Sequence, residues 1–409
     1  MINFTTRTAV PVLVGIAFGI FFTLSCSTVE QTESSTEELS TSDRLEMQLN
    51  EINQRIQQEP ENSRHYHEKS EVLYSIAKNQ PVQQRQPVYQ NLRDHSNSAE
   101  NQLGEHQAEL DEILKKAWSN EQSQGVQILQ QHRDDGSDEY YPEILAHFNN
   151  AITIIPDSIV TYSLKATTLY ENGYLNEAIE TLETAKTISG GSKPELLEKL
   201  AYLYLESGNI EKSIEIYEGL AELKTDDHHI KHGLINAYII HERHDEAAVM
   251  LKELSENYPS RYIYLEALAN QKYFIFEHKA GQLLRSDLNE RNEGSIDEID
   301  ALADNIHAIY DSLRAKMPVN EENTLRMAAF YKQAHSIYSE ILQLGDFEDE
   351  QSAEIDERKE YFADLALPLW ERLVELSPDN LDYLNNLYEV YILLGMDDDA
   401  EAIERSINF

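Results

Sequence analysis

Five histidines, at 228, 229, 232, 241 and 244, are the residues here whose type and spacing could hold a metal ion. His228 and His232 stand one helical turn apart, which is ligand-like spacing. On the same helix His241 would lie about 20 Å further along at 1.5 Å per residue, so the group cannot close around one ion. The run "HERH" (241–244) places its second histidine one residue too early for the zinc-protease pattern HExxH. These histidines therefore read as surface or groove residues, and no metal is expected. Carboxylates number 74, enough for acid–base pairs to arise by chance. No GxSxG, no glycine-rich phosphate loop and no paired cysteines are present. Neither an enzyme nor a cofactor is expected. The single cysteine, Cys26 in "FFTLSCST", cannot form an internal disulfide, and its place in the chain must explain it.

The elements that would position any site are helical. Glycine (15) and proline (11) are scarce in 409 residues, and 41% of the chain is hydrophobic, enough for a core. The formal net charge is −41. A nucleic-acid binder needs a basic footprint to displace counterions, and no basic stripe exists here. The same charge disfavours docking of the folded surface on anionic headgroups. It suits a solvated surface or a cationic partner.

Residues 1–25 form a targeting segment. One basic side chain, Arg7, precedes the apolar run "AVPVLVGIAFGIFFTL" (9–24). Sixteen residues are short for a bilayer span but suit a signal-peptide core. The segment resembles a bacterial lipoprotein signal peptide ending in the lipobox Thr23-Leu24-Ser25-Cys26. Ser25 and Cys26 match that family's pattern, whereas Thr23 and Leu24 depart from it. The resemblance implies cleavage before Cys26 and acylation of its thiol and new amine. Two or more acyl chains hold a protein at a membrane where one does so marginally. An uncleaved anchor and ordinary secretion are the alternatives. Ser27, in place of the aspartate that retains many lipoproteins at the inner membrane, implies the outer membrane. The Ser/Thr/Glu-rich stretch 26–43 is expected to be a flexible acidic tether reaching roughly 20–25 Å.

A repeat follows. Aligned on Gly173, Gly208 and Glu242, three copies show two amphipathic helical segments joined by a short turn. Ala178, Ser213 and Ala247 occupy equivalent places, 35 and then 34 residues apart, and Ala366 and Ala400 again differ by 34. A small residue early in the second helix lets it cross close to the first, and bulky residues fill the space to the next pair. The pattern resembles the tetratricopeptide repeat. Ala166 and Ala201 match its small first-helix residue. Leu169, Tyr204 and Tyr238 match its large residue near that helix's end. Gly173 and Gly208 match its turn glycine, Glu242 departs, and Pro259 matches its closing proline.

The expected fold is all-α: a right-handed solenoid of tetratricopeptide-like helix pairs. We divide the chain into a signal segment (1–25), the tether (26–43), a degenerate N-terminal helical region (44–142) and repeats (143–280). A long helix pair (281–346) and C-terminal repeats (347–409) follow. In 79–135 the pattern fails, and Pro81 and Pro87 are expected to break any helix. The stretches 295–318 and 321–344 are expected to be long helices, the first with an apolar stripe at Ile296, Ile299, Leu302, Ile306, Ile309 and Leu313. They read as an enlarged pair continuing the stack, with a separate coiled-coil module as the alternative.

In the tetratricopeptide family the first helices line a partner-binding groove. The resemblance implies that Val160, Ser163, Thr167 and Tyr170, then Glu195, Glu198, Tyr202 and Leu205, then His229, His232, Asn236 and Ile239 line it here. Tyrosines flanked by acids suit a basic or polar protein segment. The expected function is a membrane-tethered, non-enzymatic protein-interaction scaffold of the bacterial envelope. The alternative is a glycan-capture lipoprotein on the same helices, stacking sugars on exposed aromatics. Oligomeric state is not legible.

Overall fold

The computed structural model describes residues 40–103, 106–224, 226–286, 293–316, 321–345 and 347–407. Cys26, the apolar run before it and nearly all of the expected tether lie outside them. Among the described residues there is no strand, and none of the helices is long and apolar enough to cross a membrane.

The first helix, α1 (Thr41–Gln58), starts inside the stretch read as tether. Ser40 and Asp43 form a capping box: the Asp43 amide donates to Ser40 Oγ at 3.1 Å and the Ser40 amide to the Asp43 carboxylate at 3.2 Å. Two otherwise unpaired donors are thereby satisfied, which fixes the helix start earlier than composition suggests. Helix α2 (Ser63–Lys78) follows. The expected break at Pro87 is not found, because Pro87 is the second residue of α3 (Gln86–Leu103). A first-turn residue has no intrahelical N–H bond to lose, so proline is tolerated there.

Helix α4 (Gln107–Asp135) crosses α5 (Tyr141–Ile154) closely at Gly125, where an added Cβ would stand 2.8 Å from the Phe148 ring. One turn away, fully buried Glu121 accepts bonds from Arg85 Nη1 at 2.9 Å and Tyr89 Oη at 2.7 Å. His147 Nδ1 (2.7 Å) and Asn150 Nδ2 (3.3 Å) face its other oxygen. Burial works to raise the Glu121 pKa, but the bonds from His147, Tyr89 and Arg85 outweigh it and hold the carboxyl below its usual range.

Three regular pairs follow: α6 (Ile159–Glu171) with α7 (Leu175–Ile188), α8 (Pro194–Glu206) with α9 (Ile210–Leu223), and α10 (His228–Ile240) with α11 (His244–Asn257). Each turn carries one left-handed residue: Gly173 at φ 83°, Gly208 at 77° and Glu242 at 58°. The next amide donates back five residues, Tyr174 to Leu169, Asn209 to Tyr204 and Arg243 to Tyr238, at 2.8–2.9 Å. This is the Schellman helix ending. The crossing residues Ala178, Ser213 and Ala247 are completely buried. Ser213 keeps its hydroxyl satisfied by donating to the Ala201 carbonyl at 2.8 Å.

Four longer helices come next: α12 (Ile263–Arg285), α13 (Glu293–Lys316), α14 (Glu321–Gln343) and α15 (Asp349–Leu376). The predicted stripe on α13 is real: Ile299, Ile306, Ile309 and Leu313 are buried. One continuous apolar core runs from Ala201 to Ala400 through all four. The long section is wider than the expected pair. Helix α15 runs antiparallel along α14, with His335 Nδ1 against the Lys359 carbonyl at 2.9 Å, and it continues through Pro368. A last pair, α16 (Leu381–Leu393) and α17 (Asp397–Ile407), repeats the turn with Gly395 at φ 67° and the Met396-to-Tyr391 bond at 2.8 Å.

Glu242 holds the left-handed turn with a side chain that disfavours it by about 1–2 kcal/mol. Glu242→Gly should raise stability by about 0.5–1 kcal/mol, seen as a higher urea midpoint at unchanged slope. A lowered midpoint would show that the Glu242 side chain, not its backbone, holds this turn.

Candidate functional site

The candidate face is built by the first helices of successive pairs, α6, α8 and α10, with α12 beyond them. Helices of this kind meet across the repeat. The Tyr170 and Tyr202 hydroxyls are 3.0 Å apart, with the rings edge to face at 5.8 Å. Tyr202 remains 39% exposed. Burial, then the bond to Tyr170, raises its pKa, so its phenol stays protonated and able to donate. Ser163 and Thr167 are half-buried, and the Thr167 hydroxyl donates to the Ser163 carbonyl at 2.9 Å.

Glu195 is exposed and accepts from Lys224 Nζ at 3.2 Å. Its own backbone amide, then Lys224, holds its carboxyl below the usual range. Glu198, one turn on, is half-buried; burial, then the Glu198 charge, pushes the Tyr217 phenol up. His229 is exposed in the first turn of α10, where the Asp227 carboxylate caps its amide at 3.0 Å. His232 is half-buried, with Nε2 2.7 Å from the Tyr264 hydroxyl on α12. Asn236 is exposed one turn further along α10. Val160 is exposed, while Leu205 and Ile239 are half-buried.

The structure thus brings Tyr170 to Tyr202, and His229 and His232 to His228, whose ring lies 4.1 Å and 5.8 Å from theirs between centroids. It joins Glu195 to a lysine rather than to another groove residue. Among the described residues, no three His, Cys, Asp or Glu side chains converge as a metal site requires. The face offers phenols, carboxylates, imidazoles and an amide to a ligand lying across successive helices.

A second feature escaped sequence reasoning. Tyrosines near the ends of first helices tie back to a glutamate on the preceding second helix: Tyr204 to Glu183 at 2.7 Å, Tyr238 to Glu218 at 2.8 Å and Tyr391 to Glu371 at 3.1 Å. Burial, then the glutamate bond, pushes each of these phenols up to about 12. The recurring 20- or 21-residue Tyr–Glu spacing was the available signal. A third feature, a cavity of about 360 Å3 among α12–α15 with Arg314, Arg326 and Arg372 in its lining, gave no sequence signal, because its walls come from four separated stretches.

The helix pairs, their shared left-handed turns and their small-residue crossings decide the architecture. The fold is an α-solenoid of tetratricopeptide-like helix pairs. No protein-family model and no curated protein matches the chain. Among solved structures it is similar to pilF of Pseudomonas aeruginosa, at 12% identity and TM-score 0.39, over 68% of this chain and 99% of that one. A tetratricopeptide repeat protein from Parabacteroides merdae is 12% identical with TM-score 0.33, over 86% of this chain and 99% of that one. YrrB, a TPR protein with an unusual peptide-binding site, is 11% identical with TM-score 0.37, over 58% and 96%. At these scores the likenesses carry nothing about activity or partner.

The histidine cluster makes a pH prediction. Burial, then the neighbouring charges of His228 and His229, pushes the His232 pKa below its ordinary 6.5. The unfolded chain then binds a proton first, so the stability that neutral His232 contributes is present above pH 6.5 and lost as pH falls below it. An NMR titration should find the His232 ring titrating below 6.5, and His232→Gln should reduce the acid sensitivity of unfolding. A midpoint at or above 6.5 would contradict this packing.

Proposed function

We propose that the chain is a non-enzymatic scaffold, held at a bacterial envelope membrane by lipid on Cys26. Its α6–α8–α10 face receives a basic or polar segment of a protein partner. The observation that supports this reading is the accessible row formed by Tyr202, Glu195, His229 and Asn236 on consecutive first helices. An extended segment lying across helices meets such groups at repeat intervals. Tyrosine supplies amphipathic contact area at low entropic cost, and the carboxylates supply charge complementarity for a cationic partner.

The glycan reading is less favoured. Sugar stacking needs open aromatic faces. Tyr174 and Phe274 are exposed, but Tyr141 and His244 respectively cover one face of each. Trp370 is buried, and Trp118 is half-buried with its indole N–H donating to Thr161 Oγ1 at 3.1 Å. Tyr202 presents its ring to Tyr170 rather than as part of a flat platform. The lipobox and the outer membrane as destination rest on Ser25, Cys26 and Ser27.

Two experiments test the reading separately. Cys26→Ala should move the protein from the membrane to the soluble fraction; retention on membranes after signal cleavage would refute the lipid anchor. A photo-crosslinker at position 202, used in intact envelopes, should capture a discrete protein whose yield falls several-fold in Glu195→Lys/Glu198→Lys. Unchanged capture in that variant, with saturable binding to a polysaccharide, would replace the scaffold reading with glycan capture.

A further inference from the structure

The cavity of about 360 Å3 lies among α12, α13, α14 and α15. Buried Tyr310, Leu313, Met327 and Tyr331 supply its apolar floor, and Leu365 and Leu369 close it from α15. Its charged lining is Arg314, Arg326 and Arg372 against Glu266 and Asp311. The chain carries only 33 Lys and Arg against 74 Asp and Glu, so a net positive lining runs against its composition.

Those guanidinium groups are lightly committed. Arg326 pairs within its own helix with Glu322 at 2.7 Å, and Arg372 with Glu375 at 2.8 Å. Both carboxylates are mostly exposed, at 74% and 66%. Solvent-facing pairs of this kind are weak and exchangeable. Arg314 makes no ion pair among the described residues. Asp311, the acid nearest in sequence to Arg314, lies 3.4 Å from His307 Nε2. A planar guanidinium matches a carboxylate through two parallel N–H···O bonds, and Arg314 and Arg372 are exposed enough for a ligand to reach them.

We propose that this cavity is a binding site for a small aliphatic carboxylic acid, its chain between the Met327 floor and Leu365 and Leu369, and its carboxylate on the arginines, Arg314 foremost. At about 360 Å3 the cavity falls at the lower end of the range for small-molecule sites. It encloses the end of a chain rather than an extended segment, which distinguishes it from the α6–α8–α10 face. The site goes beyond the scaffold reading and does not depend on it.

Calorimetric titration of the full chain with octanoate, octanol and octylammonium tests the assignment. Octanoate should saturate one site per chain and bind at least about tenfold more tightly than octanol, with octylammonium weaker still. Arg314→Ala/Arg372→Ala should weaken octanoate at least about tenfold while leaving octanol and the thermal melt unchanged. Leu369→Phe, which fills the cavity and keeps every arginine, should weaken octanoate and octanol together. Equal affinity for octanoate and octanol would overturn the proposal, as would unaltered octanoate binding in both variants. So would tighter binding of a leucine-terminated peptide than of octanoate, since that would make the site a peptide-end receptor.

Discussion

The whole repeat stack depends on one local constraint: a helix must stop, reverse and return within a few residues while its successor crosses it at contact distance. A left-handed residue ends the first helix, and the amide after it closes a bond five residues back. Four turns share this geometry although one of them has glutamate where the others have glycine. The backbone requirement therefore outranks residue identity, and Glu242 is held in an unfavourable region by the pair it connects. Ala178, Ser213, Ala247 and Ala400, each a few residues past its turn, then allow the close crossing. Without a small side chain there, the second helix would be displaced and the pair beyond it would lose its apolar footing.

Apolar packing alone would let adjacent pairs slide. The tyrosine–glutamate ties of Tyr204, Tyr238 and Tyr391 add direction, since each links a first helix to the second helix before it. Lys212 and Arg243 stand over the Tyr204 and Tyr238 rings, 4.9 and 4.3 Å from the centroids, so the ties are also cationic contacts. The N-terminal region solves the same problem with Glu121. A buried carboxylate bound by an arginine, a tyrosine, a histidine and an amide is costly to disturb, because removing one partner strands the others without water. It locks the register of α3, α4 and α5 where the repeat pattern is weakest.

What the sequence made legible follows from the range of each interaction. The turns at 173 and 208, the 34-residue spacing and the stripe on α13 are local or periodic, and the structure repeats them. Pro81 stands in the break after α2, but Pro87 does not end a helix, because it sits in the first turn of α3, where its missing N–H removes nothing. That these residues fall on the first helices was legible, but the side chains they touch were not. Tyr170 finds Tyr202, and His232 finds Tyr264, each 32 residues away, nearly one repeat. A pattern says that such faces adjoin without saying which side chains touch. The arginine cavity was invisible because residues from 266 to 372 must come together to make it.

Helix length separates the two halves chemically. Helices α6–α11 have 13 or 14 residues, so most of each lies near its small-residue crossing and little space is left between neighbours. Helices α12–α15 have 23 to 28 residues. Ten extra residues extend a helix by about 15 Å beyond the point of closest approach, where separation grows and larger side chains must fill the gap. Phe330, Tyr331, Tyr338 and Phe362 fill it in the middle, with ring centroids 5.3–6.1 Å apart. Toward the start of α14 the filling is incomplete, and Arg314, Arg326 and Arg372 are among the residues lining the space. An acidic, tyrosine-bearing face and a basic, apolar-floored cavity thus arise from one folding rule applied at two helix lengths.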